Sequence, residues 1–279
     1  MCRRVLALPP SISSHPSNKT LANLLDAFCP EAVSARRDTV HAEELGAQGE
    51  LSTPLFVCTL GFPQQPTFLR IFEPRYRLML RRALESTGEF GMLMYNRYNE
   101  PQGDLGPVNF YGIGTMLRII RSQTLPDGTS LIETVGTDRF RVTAHGVLDG
   151  YVVGSTEPIH DVTLAEEERI EAEETARPPP ADPTDINSQI ERMPTVELLW
   201  LCQEFVRRMQ ARSANWLQQR VLDIHGQPPN DARVFPYWFA SVLPISEEEK
   251  YKLLDTRTVR ARLKVTATWI RRIESQRWV

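Results

Sequence analysis

Apolar positions along the chain change period at a few places, and those changes outline its elements. In "IFEPRYRLMLRRAL" (Ile71 to Leu84), Tyr76, Met79, Leu80, Ala83 and Leu84 fall at i, i+3, i+4, i+7 and i+8, which is one face of a helix. Pro74 suits the first helical position, where a missing N–H is no loss, and the residue before it is pushed out of the α region, so Glu73 fits the N-cap. Gly88 offers a stop. The stretch predicts a strand end turning into a short helix packed on a β-core. Arg75, Arg77, Arg81 and Arg82 lie mostly off the apolar face and read as a solvated face.

Around this helix, from residue 51 to 163, the runs are short, β-rich and punctuated by turns. "PLFVCTL", "EFGMLMYN", "VNFYGIGTMLRIIRSQTL", "SLIETVG", "RFRVTAHG" and "YVVGSTEPI" are strand candidates, with turns at Gly61-Phe62-Pro63 and Pro126-Asp127-Gly128. Their length and spacing predict a small antiparallel barrel or closed sheet. Residues 164–194 are acidic and then proline-rich, which predicts a mobile linker with some helix in its first half. Residues 195–279 return to helical spacing. Leu198, Cys202, Phe205 and Met209 follow Thr195, and Leu217, Val221 and Ile224 follow Ser213. Pro236 opens "PYWFASVL", Ser246 and Glu249 form a capping box, and Val259, Leu263, Ala267, Ile270 and Ile273 share one side of the last helix. Arg260, Arg262, Lys264, Arg271 and Arg272 lie elsewhere on that helix and read as solvated. Residues 1–50 hold one helical stripe, Leu21, Leu24, Leu25 and Phe28. The fold class is therefore α+β, a closed sheet followed by a helical bundle.

Composition changes this picture little. Net charge is −3 and pI about 6.0, with mean hydropathy −0.32, so no global charge calls for nucleic acid or an anionic membrane. No apolar run is long enough to span a bilayer. Cys2, Cys29, Cys58 and Cys202 are widely separated, which favours reduced thiols in a cytoplasmic or nuclear protein. Cys58 and Cys202 sit in apolar patterns and read as small core residues.

The chemistry-bearing motifs are missing. There is no G-x-x-x-x-G-K-[ST] phosphate loop and no G-x-S-x-G elbow, and His41 with Glu43 and Glu44 is not H-E-x-x-H. Gly112-Ile113-Gly114 lacks a third glycine and reads as a bend or bulge in a strand. His145 and His160 sit at strand ends. The residues assign no catalytic, cofactor or metal site. The bundle, however, carries more aromatics than it needs. The run "FPYWF" predicts that one or two of Tyr237, Trp238 and Phe239 face the junction with the sheet or the surface, as an apolar patch for partner segments.

As a set, "LFVCTLGFPQQPTFLRIFEPRYRLML", "FYGIGTMLRI", "LPDGTSLIETVGTDRFRV" and "LPISEEEKYKLLDTRTVRARL" resemble the Lon N-terminal substrate-binding domain over residues 51 to 275. Phe72, Glu73, Pro74, Arg75 and Tyr76 match its F-E-x-R-Y core, and Gly114, Thr115, Gly136, Arg139 and Phe140 match later landmarks in order. The resemblance implies a PUA-like β-barrel followed by a helical bundle, with these residues as fold determinants. It also implies a non-catalytic module that recognises client proteins or exposed peptide segments in protein turnover. "MCRR" resembles the end of a RING finger and "SNKTLANLLDAFCPEAVSARR" the helix after it, in proteins thought to act as E3 ubiquitin ligases. On that expectation Cys2 is the remnant of a RING truncated upstream, zinc enters only with a complete RING, and the ubiquitination machinery joins the partners. An RNA-binding PUA-like barrel is the alternative.

Overall fold

The computed structural model describes residues 19–30, 33, 51–176, 178 and 185–275. Cys2 and the rest of "MCRR", expected to be the remnant of a RING, lie outside them. Helix α1 (Lys19–Phe28) is followed by strands β1 (Thr53–Cys58) and β2 (Pro66–Ile71) and helix α2 (Pro74–Glu85). Strands β3 (Glu89–Met94), β4 (Ile113–Thr124), β5 (Ser130–Leu148) and β6 (Tyr151–Ile159) come next. The remaining helices are α3 (Leu164–Thr175), α4 (Ile186–Arg192), α5 (Thr195–Ala211), α6 (Gln219–His225), α7 (Phe235–Val242), α8 (Glu247–Asp255) and α9 (Val259–Ser275).

The strands form one sheet in the order β2-β5-β4-β3-β1-β6, and β6 pairs back onto β5. The hydrogen-bonded circuit β5-β4-β3-β1-β6 therefore closes, with β2 beside the first half of β5. Of the expected small antiparallel barrel or closed sheet, the closure is present but the antiparallel order is not complete. β1 and β3 are parallel, Leu55 opposite Gly91, because the chain between them is long enough to cross over through β2 and α2. The expected strands "SLIETVG" and "RFRVTAHG" are one strand. Its first part pairs with β2 and β4, and its second part with β4 and β6. It runs unbroken through Gly136-Thr137-Asp138 because no proline or left-handed residue stops it there. The β5–β6 hairpin turns on Asp149 and Gly150, both at positive φ as a two-residue primed turn requires.

Gly136 and Gly114 mark the tightest backbone approaches in the sheet, one to the β1–β2 loop and one to the neighbouring strand β3. A Cβ on Gly136 would sit 2.0 Å from the Phe62 carbonyl oxygen, and one on Gly114 would sit 2.3 Å from that of Met92. Thr115, next in line, donates its hydroxyl to the Gly61 carbonyl at 2.8 Å. Phe140 fills the space beside Gly91 and Gly114. Gly112, by contrast, has only ordinary contacts around its Cβ position, so the second glycine of "GIG" is the constrained one.

Helix α2 forms as its spacing predicts. Tyr76, Met79, Leu80 and Ala83 are buried against Phe56, Phe90, Leu117 and Ile132, with the Phe56 and Tyr76 rings edge-on at 4.4 Å. Gly88, at φ 72, ends it by donating to the Ala83 carbonyl. Of the cysteines expected in the core, Cys202 is buried on α5. Cys58 is exposed at the end of β1, past the covered part of the sheet.

The acidic half of the expected linker is helix α3, held on both sides. Thr163 caps it, Glu171 accepts the backbone N–H and hydroxyl of Thr195, and Glu167 accepts the Arg260 N–H. Glu174 accepts from Arg260 and Lys264, both at 2.6 Å. This corrects the reading of α9 as a helix with solvated basic residues. Arg260 and Arg262 are each 1% exposed, because their guanidiniums are neutralised by carboxylates distant in sequence. The acidic run and the basic helix fit each other.

Candidate functional site

The sheet and the bundle share a packed junction. Phe62 from the β1–β2 loop stacks on Tyr237 at 5.7 Å, and Ile113 donates its backbone N–H to the Tyr251 hydroxyl at 3.0 Å. At its centre Arg139 of β5 donates to the carbonyls of Leu254 (2.8 Å) and Thr256 and to the Asp161 carboxylate (2.7 Å). Arg262 of α9 reaches the same carboxylate from the other side and lies over the Tyr237 ring at 5.2 Å to its centroid. One carboxylate thus serves two buried guanidiniums. Burial pulls the Asp161 carboxyl upward, but the hydrogen bond and charge of Arg262, then those of Arg139, outweigh it and hold the group below the usual carboxylate range.

Tyr237, Trp238 and Phe239 are 5%, 1% and 0% exposed. Of the three, Tyr237 faces the junction as expected, but Phe62 and Arg262 cover it, so the expected apolar patch for partner segments is not exposed. Trp238 donates its indole N–H to the Gly226 carbonyl, and Phe239 packs on Phe205, Trp216 and Phe235. The short helix buries all three rings because the sheet covers one side of it and α5 and α6 the others.

The open concavity lies elsewhere, between α2 and the β4–β5 hairpin. This groove has a volume of about 580 Å³. Arg77, Arg81, Leu84 and Glu85 stand on its helix wall, and Ser122, Thr124 and Ser130 line its hairpin wall. It exists because the hairpin runs on past the end of α2. Ser122 pairs with Ile132 and Thr124 with Ser130, so these side chains point to the face that the helix covers farther down. Leu84, the last apolar position of the helix stripe, is left 49% exposed there.

The four arginines of α2 divide by direction. Arg75 pairs with Glu73 at 2.8 Å and donates to the Gly150 carbonyl, while Arg82 pairs with Asp149 at 2.5 Å and donates to the Tyr151 hydroxyl. Both lean toward the β5–β6 turn. Arg77 and Arg81 face the groove and have no carboxylate partner among the described residues; Arg77 lies against Gly128 of the hairpin turn. Two other crevices contrast with this. The one beside α3, about 410 Å³, has Asp161, Glu167 and Glu171 already committed to arginine or backbone donors. The one beside Tyr251, also about 410 Å³, is flanked by the Arg141–Asp255 pair.

The residues of the F-E-x-R-Y core are not gathered at one reactive point. Tyr76 is buried, Phe72 is 63% exposed, and Pro74 opens the helix. Glu73 occupies the N-cap position, but its side chain makes no capping bond and turns to Arg75 instead. Arg75→Ala and Glu73→Ala are therefore expected to shift stability by no more than about 1 kcal/mol, the range of an exposed ion pair. Urea unfolding of both variants checks this. Gly114, Thr115, Gly136, Arg139 and Phe140 are close-approach or junction residues, as described above. Sequence reasoning missed Asp161 and the pairing of Arg77 with Arg81. The i, i+4 spacing of those two arginines was visible, but the absence of partners was not.

Among the described residues, no group of three or more His, Cys, Asp or Glu is placed to hold a metal ion, and no helix is long and apolar enough to cross a membrane. The family model of the ATP-dependent protease La (LON) substrate-binding domain matches residues 53–272. A LON peptidase N-terminal domain and RING finger protein of Schizosaccharomyces pombe is 24% identical over 278 residues, covering 96% of this chain and 54% of its own. The chain thus spans about half the length of that curated relative. Among solved structures, a Lon N-terminal domain protein from Xanthomonas campestris is 23% identical, with TM-score 0.49. The N-terminal domain of Mycobacterium avium complex Lon protease is 18% identical, with TM-score 0.46. Each covers 78% of this chain and 97% of its own.

Proposed function

This chain belongs to the LON substrate-binding domain family, and from that premise we propose that it is a non-catalytic recognition module that holds exposed segments of client proteins for turnover. The match over residues 53–272 carries the reading, since it takes in both the sheet and the bundle. We read the closed strand circuit as a PUA-like β-barrel and the groove beside α2 as the place where a segment docks, because concave apolar surface with a few polar groups is what binding sites share. The similarity to a RING finger protein supports a link to ubiquitin transfer, with the ubiquitination machinery as partner and zinc entering only with a complete RING. Clients reach such a module in the cytoplasm or nucleus.

The test is fluorescence anisotropy with the full chain. A labelled, reduced and carboxymethylated protein is expected to bind without nucleotide, while its native form does not. A labelled single-stranded RNA is expected to bind no better than a neutral dextran at physiological salt. Salt-sensitive RNA binding with no affinity for the unfolded protein would replace client recognition by nucleic-acid binding.

A further inference from the structure

We propose that the groove between α2 and the β4–β5 hairpin selects extended protein segments in which carboxylate side chains alternate with leucine-like ones, with Arg77 and Arg81 as the residues that read the carboxylates. The inference rests on the client-recognition reading and adds to it the chemical class of the segment.

The charge arrangement carries it. Arg77 and Arg81 stand one helical turn apart on the groove wall, about 6 Å along the axis. Guanidiniums stay protonated at any working pH and present planar forks suited to carboxylates. On the same helix Arg75 and Arg82 are matched to Glu73 and Asp149, so the lack of acidic partners for the groove pair is specific to that side. The one carboxylate lining the groove, Glu85, is a full turn from Arg81 and forms no ion pair with it among the described residues. Two positive charges against one negative leave the groove net positive on a chain whose total is −3.

The rest of the lining sets the segment's other requirements. Leu84 and Leu78 offer an apolar strip beside the arginines, which fits a branched aliphatic side chain next to each acid. The Ser122, Thr124 and Ser130 hydroxyls make no hydrogen bond to other described side chains or backbone, so they are free to take the amides of an extended chain. A nucleic-acid strand fits less well. The groove offers no aromatic ring for a base to stack on, and Glu85 opposes a phosphate.

Three fluorescein-labelled peptides test the proposal by anisotropy on the full chain. They alternate leucine with glutamate, glutamine or lysine, spaced by glycine and serine. The glutamate peptide is expected to bind roughly tenfold more tightly than the glutamine one, as two exposed ion pairs would give, and to lose that advantage at high salt. The lysine peptide should not bind. In Arg77→Gln/Arg81→Gln, whose arginines hold no structural ion pair, the glutamate and glutamine peptides should bind alike while the melting temperature stays that of the parent. Equal binding of glutamate and glutamine peptides by the parent, with unfolded protein still bound, would overturn the acidic preference and leave client recognition standing. No binding of any peptide or of unfolded protein would overturn both. Arginine-dependent binding of an oligouridine in place of the glutamate peptide would assign the groove to nucleic acid and overturn the proposal.

Discussion

Asp161→Ala is expected to destabilise the protein by about 3–5 kcal/mol, because it strands two buried guanidiniums at once. Arg139 is 5% exposed and Arg262 1%, and Asp161 is the carboxylate that both reach. Arg139 would keep the Leu254 and Thr256 carbonyls, whereas Arg262 would keep little beyond the Tyr237 face and a long contact to Thr256. Arg262→Met made together with Asp161→Ala should restore part of the loss, since it removes one of the uncompensated charges. Urea unfolding of the single and double variants measures this; a single variant within about 1 kcal/mol of the parent would show that the junction does not depend on the pair.

The same carboxylate gives the protein an acid limb. Its folded value is held below the unfolded one, about 3.9 for an aspartate. The stability it contributes is present in full above that value and disappears as pH falls through the folded one. The parent's urea midpoint should therefore drop below about pH 4. In Asp161→Asn, already destabilised at neutral pH, the drop should be shallower.

Gly136→Ala and Gly114→Ala are expected to cost about 3 kcal/mol or more each, or to prevent folding. The added methyl would meet backbone carbonyl oxygens at 2.0 and 2.3 Å, and these cannot swing aside as a side-chain tip could. At Gly136 the obstacle is the Phe62 peptide. It is fixed where Gln64 and Gln65 exchange backbone hydrogen bonds with Gly136, and by the stack of Phe62 on Tyr237. Relief would require prising that loop off the sheet and disturbing the junction with it. Gly112→Ala is the internal control: its nearest neighbour would be at 3.6 Å and its φ is not left-handed, so it should stay within about 1 kcal/mol of the parent. Thermal unfolding of the three variants distinguishes them. Equal effects at Gly112 and Gly114 would mean that chain entropy, not close approach, explains the motif.

Local patterns were enough for much of this protein. The i, i+3, i+4 spacing from Tyr76 to Ala83 placed α2 and its buried face. Pro74 and Gly88 set its ends, and Ser246 with Glu249 set the start of α8, because caps and apolar stripes depend on residues a few positions apart. Turn chemistry at Asp127-Gly128 located the β4–β5 hairpin for the same reason. The ordered landmarks from Phe72 to Phe140 pointed to the family, although not to what each residue does.

What depended on residues far apart in the chain was decided only by the fold. The parallel pairing of β1 with β3 requires knowing which strands become neighbours, and alternation within a strand carries no such information. The acidic run of α3 and the basic α9 each looked solvated when read alone. Across a separation of 86 positions Glu174 and Arg260 neutralise each other, and that pairing is what lets the guanidinium be buried. The "FPYWF" rings had a helical pattern too rich for one face, and the sheet supplied the second surface that buries them. The four arginines of α2 were indistinguishable by composition. Two were engaged because the β5–β6 turn brought Asp149 and Gly150 to them, and two were left facing a groove because the longer hairpin lined it with hydroxyls while its turn carboxylate, Asp127, pairs with Arg70 instead.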